Sequence, residues 1–144
     1  MATTPALTAF ERDTAVTPAG DGVWAADISD QWAVPRGPNG GYIAALVLRA
    51  MEAEVADPGR APRSLTLHYL RPPVPGGPAA IHVTVERAGR TLTSLSARLV
   101  QDDRTMVVAL AAFAADFPTV ADYATAPPDV GPPPATLHTV PDGP

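Results

Sequence analysis

The chain contains no cysteine. Disulfides, thiolate metal sites and a cysteine nucleophile are thereby excluded. It also contains no lysine: all ten basic residues are arginines, and they are scattered. The formal net charge is -5, with a pI near 4.9. A nucleic-acid binder needs a basic patch or stripe, so nucleic acid is not an expected partner. No run approaches the roughly 20 apolar residues that span a bilayer, so no membrane partner is expected. The first residues, MATTPALTAFERD, carry no basic stretch followed by an apolar one, so a secretory signal is not expected and a cytoplasmic location is. GxSxG is missing, which leaves a serine-hydrolase elbow unsupported. HExxH is missing too, so neither a metal nor any other cofactor is expected. Gly20–Asp21–Gly22 opens a loose G-x-G-x-x-A, but a strand is predicted to follow it where a dinucleotide site needs a helix.

What the chain has in abundance is proline. Eight of its 18 prolines follow Phe117. Proline removes backbone donors and stiffens a chain into extended forms. Residues 1–117 are therefore expected to form one domain. Residues 118–144 are expected to be a linker or tail, the start of a connection to a second unit.

Within the domain, two short strands are expected near Asp13–Thr17 and Gly22–Ile28, with a turn at Pro18–Asp21 between them. A loop, Gln31–Pro38, precedes a helix over about Gly40–Ala56. Asn39 is a good N-cap, and Asp57–Pro58–Gly59 is a strong stop. The first half of this helix is apolar all round, the pattern of a helix buried on most sides. RSLTLHYLR and AAIHVTVER alternate with the period of strands. Turns at Arg87–Arg90 and Gln101–Arg104 bracket TLTSLSARLVQ. TMVVALAAF is apolar on both faces and should be an internal strand. Short connections make the sheet mainly antiparallel. The expected class is α+β, a sheet of five to six strands wrapped around one long helix.

WAVPRGPNGGYIAALVLRAM, RSLTLHYLRPP and VTVERAGRTLTSLSARLVQDDRTMVVALAAF together resemble the amino-terminal hot-dog domain of acyl-CoA thioesterase II-like enzymes. The resemblance covers about Trp24–Phe117. It implies the hot-dog fold and hydrolysis of an acyl-CoA thioester to free acid and CoA. It also implies a partner: in that family two hot-dog units share a chain and substrate lies between them. A homodimer would be the equivalent for a single unit.

Thioester hydrolysis requires donors for an oxyanion, a positioned water and a group to take its proton. A helix N-terminus offers free N–H groups and a favourable dipole, so Asn39, Gly40, Gly41 and Tyr42 are candidates for holding the substrate carbonyl. Asn39 stands where single-unit thioesterases carry a histidine; the plain alternative is an ordinary cap. For the glycines the alternative is close packing; Trp24, Trp32 and Tyr42 are candidates for lining an acyl pocket, with core as the commoner alternative. Arg36, just before the helix, is a candidate for a CoA phosphate, against a solvated loop charge. Of the Asp, Thr and Gln that the resemblance places in the second unit, only Gln has a counterpart here, Gln101. The acid position in mid-helix falls on Leu48 and the Thr position near Pro62, so this copy is expected to be the non-catalytic half. His68 and His82 lie on polar strand parities, and His138 lies in the tail. The competing reading is a non-catalytic acyl- or CoA-binding or assembly module. A hydratase would need a His–Asp or His–Glu pair by the helix, and none is visible.

Overall fold

The computed structural model describes residues 6–118, 121 and 123–131. A long helix, α2 (Gly40–Val55), lies against a six-stranded sheet of order β1-β2-β6-β7-β8-β5, antiparallel throughout. The strands are β1 (Thr17–Gly20), β2 (Val23–Ile28), β5 (Ala61–Tyr69), β6 (Gly77–Ala88), β7 (Leu92–Gln101) and β8 (Arg104–Ala114). A small hairpin, β3 (Ala33–Val34) and β4 (Gly37–Pro38), leads into α2.

The helix starts as its residues predict. Asn39 caps it, and Tyr42, Ile43, Leu46, Val47, Ala50 and Met51 form the buried stripe. That spacing puts one face on the sheet; Ala44, Ala45 and Leu48 on its flanks are only half-buried. The helix ends one residue early, with Ala56 left-handed at φ 49. Asp57 Oδ1 then accepts from the Gly59 N–H at 2.9 Å, closing the turn.

The sheet follows the period-2 pattern. Ile81, Val83, Leu95, Ala97, Leu99, Val107, Ala109 and Phe113 are buried toward α2. β8 is internal, between β7 and β5, as its two apolar faces require. Its outer face carries Val108, Leu110 and Ala112, and Leu110 remains 61% exposed. The β7–β8 hairpin turns on Asp102 and Asp103, both with positive φ, the conformation that matches sheet twist in a two-residue loop.

The amino-terminal part differs from expectation. No strand forms over Asp13–Thr17. Instead α1 (Ala9–Asp13) is a short helix, and β1 begins only at Thr17, taking in Pro18 to Gly20. The cause is a capping box: Thr8 accepts from the Glu11 N–H while the Glu11 carboxylate accepts from the Thr8 N–H at 2.8 Å. Pro18 is tolerated because β1 is an edge strand.

The far end of the molecule is held by one side chain. The Arg60 guanidinium pairs with Asp57 at 3.1 Å and donates to Thr93 Oγ1 at 2.8 Å and to the Gly89 and Arg90 carbonyls at 3.0 and 3.1 Å. Arg60→Ala should cost about 2 kcal/mol, since three charge-assisted bonds to β-turn and strand are lost together. Urea denaturation checks this, and a midpoint equal to the parent's would refute it.

Candidate functional site

The start of α2 sits at the bottom of an open cleft of about 500 Å³. One wall is the β3–β4 hairpin, with Arg36 and Pro38. The other is the segment after β5, with Leu70, Arg71, Pro72 and Pro73, and Ile43 of α2 and Tyr69 complete the lining. The walls are fastened at several points. The Asn39 N–H donates to the Trp32 carbonyl at 2.8 Å. The N–H groups of Leu70 and Arg71 both donate to the Met106 carbonyl, at 2.8 and 3.2 Å. The Gly76 N–H donates to the Ile28 carbonyl at 2.6 Å.

At the helix start the Gly41 and Tyr42 N–H groups are already engaged, while among the described residues no hydrogen bond occupies the Gly40 N–H. Asn39 Oδ1 accepts from the N–H of Gly41 at 2.8 Å and of Tyr42 at 3.3 Å. Two of the four N–H groups that a helix start leaves orphaned are thus satisfied within the chain. The Tyr69 hydroxyl donates to the Gly40 carbonyl at 2.7 Å and covers that glycine with its ring. Partial burial pushes the Tyr69 hydroxyl above its ordinary pKa, so it stays a neutral donor near pH 7.

Of the residues singled out in the sequence, Arg36 alone lines this cleft; Asn39, Gly40 and Gly41 border it. Gln101 is elsewhere, 4% exposed, at the end of β7. Its amide forms a two-way clamp on Val74: Oε1 accepts from the Val74 N–H at 2.7 Å, and Nε2 donates to the Val74 carbonyl at 3.0 Å. Tyr42 points down into the core, 2% exposed. Its hydroxyl accepts from the Ser29 N–H at 2.9 Å and faces the Asp13 and Asp27 carbonyls at 3.0 and 3.2 Å. Burial pushes this hydroxyl up, and the carboxylates of Asp13 and Asp27 add to it.

The tryptophans serve the frame. Trp32 stacks on Tyr42, ring centroids 5.7 Å apart, and meets Phe10 edge-on. Trp24 donates from Nε1 to Glu54 at 2.9 Å. Leu48 is half-buried against the core, and Pro62 lies exposed on the edge strand. His68 and His82 are exposed on the sheet face turned away from α2, on either side of Val108 and Arg98. His138 lies outside the described residues.

The sequence of residues 28–114 matches the family described as the acyl-CoA thioesterase N-terminal domain. This chain belongs to the acyl-CoA thioesterase N-terminal domain family. No protein with a curated description matches it. Among solved structures, a protein of Thermobifida fusca YX assigned as a thioesterase II is 28% identical, with a TM-score of 0.76 over 88% of this chain and 47% of its own. A protein of Alicyclobacillus acidocaldarius with the hot-dog fold is 25% identical, with a TM-score of 0.75 over 89% of this chain and 47% of its own. An acyl-CoA thioesterase II from Mycobacterium marinum, 20% identical, shares the fold at a TM-score of 0.71, over 88% of this chain and 46% of its own. The expected hot-dog architecture is the one found, and the chain spans about half the length of these relatives.

Two groups important to this thioesterase domain were not singled out in the sequence. Arg71 appeared there only within the stretch RSLTLHYLRPP, and the fold is what brings it to the cleft beside the start of α2. Asp13 was assigned to a strand. Its carboxylate accepts from Trp32 Nε1 at 3.0 Å, Ser29 Oγ at 3.3 Å and Arg12 Nε at 3.0 Å. The Trp32 bond first, then Arg12 and Ser29, hold the Asp13 carboxyl below the ordinary aspartate range, against partial burial. A depressed folded-state value means that the contribution to stability is complete above about pH 4, the unfolded aspartate value, and is lost as pH falls below it. Melting temperature should therefore drop on acidification through that range, and Asp13→Asn should flatten the drop. Parallel curves for parent and variant would refute the assignment.

Proposed function

We propose that this chain is the substrate-holding half of an acyl-CoA thioesterase, acting in the cytoplasm on a fatty or related acyl-CoA. The overall reaction adds water to the thioester carbonyl, breaks the C–S bond and yields a carboxylic acid and CoA thiol. In this reading a second hot-dog unit supplies the attacking water's base and the oxyanion donors. That unit is joined through residues 118–144 or contributed by a separate chain that carries the Asp, Thr and Gln. The observation that carries the reading is the Asn39 carboxamide oxygen seated on the Gly41 and Tyr42 N–H groups. A carbonyl oxygen arriving there must compete with a cap worth about 1 kcal/mol. The Gln101 amide is likewise engaged at both ends by Val74, and no carboxylate lines the cleft.

The test is free-thiol release from acyl-CoAs of short to long chain, with the purified chain alone and mixed with a thioesterase II carboxy-terminal unit bearing Asp, Thr and Gln. Release is expected only in the mixture. Release by the chain alone, abolished in Asn39→Ala, would show that the single unit is competent and would overturn the proposal.

A further inference from the structure

The cleft above α2 brings together two arginines that are far apart in sequence. Arg36 comes from the tip of the β3–β4 hairpin and Arg71 from the segment after β5. Among the described residues neither guanidinium has a hydrogen bond or an ion pair, which holds also for Arg49, Arg87, Arg90, Arg98 and Arg104; what sets Arg36 and Arg71 apart is that both line one cleft. No aspartate or glutamate lines the cleft. In a chain of net charge -5 this is a local concentration of uncompensated positive charge. The remaining walls are apolar and stiff: Pro38, Pro72 and Pro73 fix the backbone, and Ile43 and Leu70 line it with hydrocarbon.

We infer that Arg36 and Arg71 form a two-armed anion site for a phosphate-bearing amphiphile, which under the function proposed above is the phosphate-bearing end of CoA. Guanidinium groups match phosphate oxygens in paired, charge-assisted hydrogen bonds. Two such groups over one cleft repel each other until an anion sits between them. The apolar walls suit the uncharged arm that joins phosphate to thioester. Arg71 is the new element: its chain position is set by two backbone bonds to the Met106 carbonyl, from Leu70 and from Arg71 itself. The site rests on the thioesterase reading only for the identity of its ligand. That both arginines line one cleft does not depend on it.

The experiment is calorimetric titration of the full 144-residue chain with CoA, with adenosine 3′,5′-bisphosphate and with inorganic pyrophosphate. The proteins compared are the parent, Arg36→Gln, Arg71→Gln and Arg90→Gln. Arg90 lies in the β6–β7 turn, beside the Arg60 contacts at the other end of α2. CoA should bind the parent. Each cleft variant should weaken binding about tenfold, the loss of one charge-assisted contact, and should flatten its dependence on salt. Arg90→Gln should change neither, and melting temperatures should stay equal. Binding of the bisphosphate and pyrophosphate with the same arginine dependence would assign the contact to phosphate groups as such. Equal CoA affinity in parent and cleft variants, equal weakening by Arg90→Gln, or no binding of CoA by the parent would each overturn the inference. Failure of the thioesterase reading looks different: CoA then binds with the arginine dependence intact, while no thioester is cleaved in the presence of the second unit.

Discussion

Tyr42→Ala should destabilise the domain by about 4 kcal/mol, the range for emptying a buried aromatic site. Against a total stability of about 5–15 kcal/mol for a domain, that brings the variant close to unfolding. Tyr42 is 2% exposed and stacks on Trp32. Its hydroxyl ties three segments to the helix: Ser29 through its N–H, and Asp13 and Asp27 through their carbonyls. Tyr42→Phe separates ring from hydroxyl. It keeps the packing and leaves the Ser29 N–H without its partner, at about 1–3 kcal/mol. Urea denaturation of the two variants measures both parts. If Tyr42→Ala keeps the parent's stability and instead loses CoA affinity, the residue touches substrate, the first of the two readings that the sequence offered, and its place as a keystone of the frame is wrong.

Gly37→Ala should cost about 3 kcal/mol and should loosen the cleft as well. Gly37 has φ +129, a conformation that side-chain-bearing residues rarely adopt, and an added Cβ would stand 2.8 Å from Pro72 Cβ. Strain of about 1–3 kcal/mol for the backbone adds to about 1–3 kcal/mol for overpacking. Neither side yields easily, because Pro72 is followed by a second proline and Gly37 by Pro38. The hairpin must therefore move off the opposite wall, carrying Arg36 with it. Gly76→Ala is the comparison: it shares a positive φ of +76, but nothing lies within 4 Å of the new Cβ. It should cost only about 1–2 kcal/mol, the handedness penalty alone. Equal losses in the two variants would remove the contact with Pro72 from the account.

What was legible from the residues is what depends on near neighbours. Asn39 as a cap and Asp57–Pro58–Gly59 as a stop are signals written within three residues, and both ends of α2 fell within one residue of expectation. The alternation of Ile81, Val83 and Val85 against His82, Thr84 and Glu86 needs only the pleat of a strand. The capping box of Thr8 and Glu11 was equally local and was passed over; the helix it starts is only five residues long.

The sequence by itself determined the helix, the antiparallel sense of strands joined by short turns, the internal place of β8 and the family; that β5 returns to the edge beside β8 and β6 pairs with β2 was decided by the fold. Each of the former follows from periodicity, caps or a contiguous motif. Only the tertiary structure decided the candidate site. Gln101 meets Val74 across 27 residues, Tyr42 meets Ser29 and Asp13 across 13 and 29, and Tyr69 meets Gly40 across 29. Arg36 and Arg71 become neighbours of one cleft only once the hairpin before α2 and the segment after β5 close over the same helix end. A side chain's partner depends on where the fold returns the chain, and no local pattern encodes that; residue type restricts which bonds are possible, and packing selects among them.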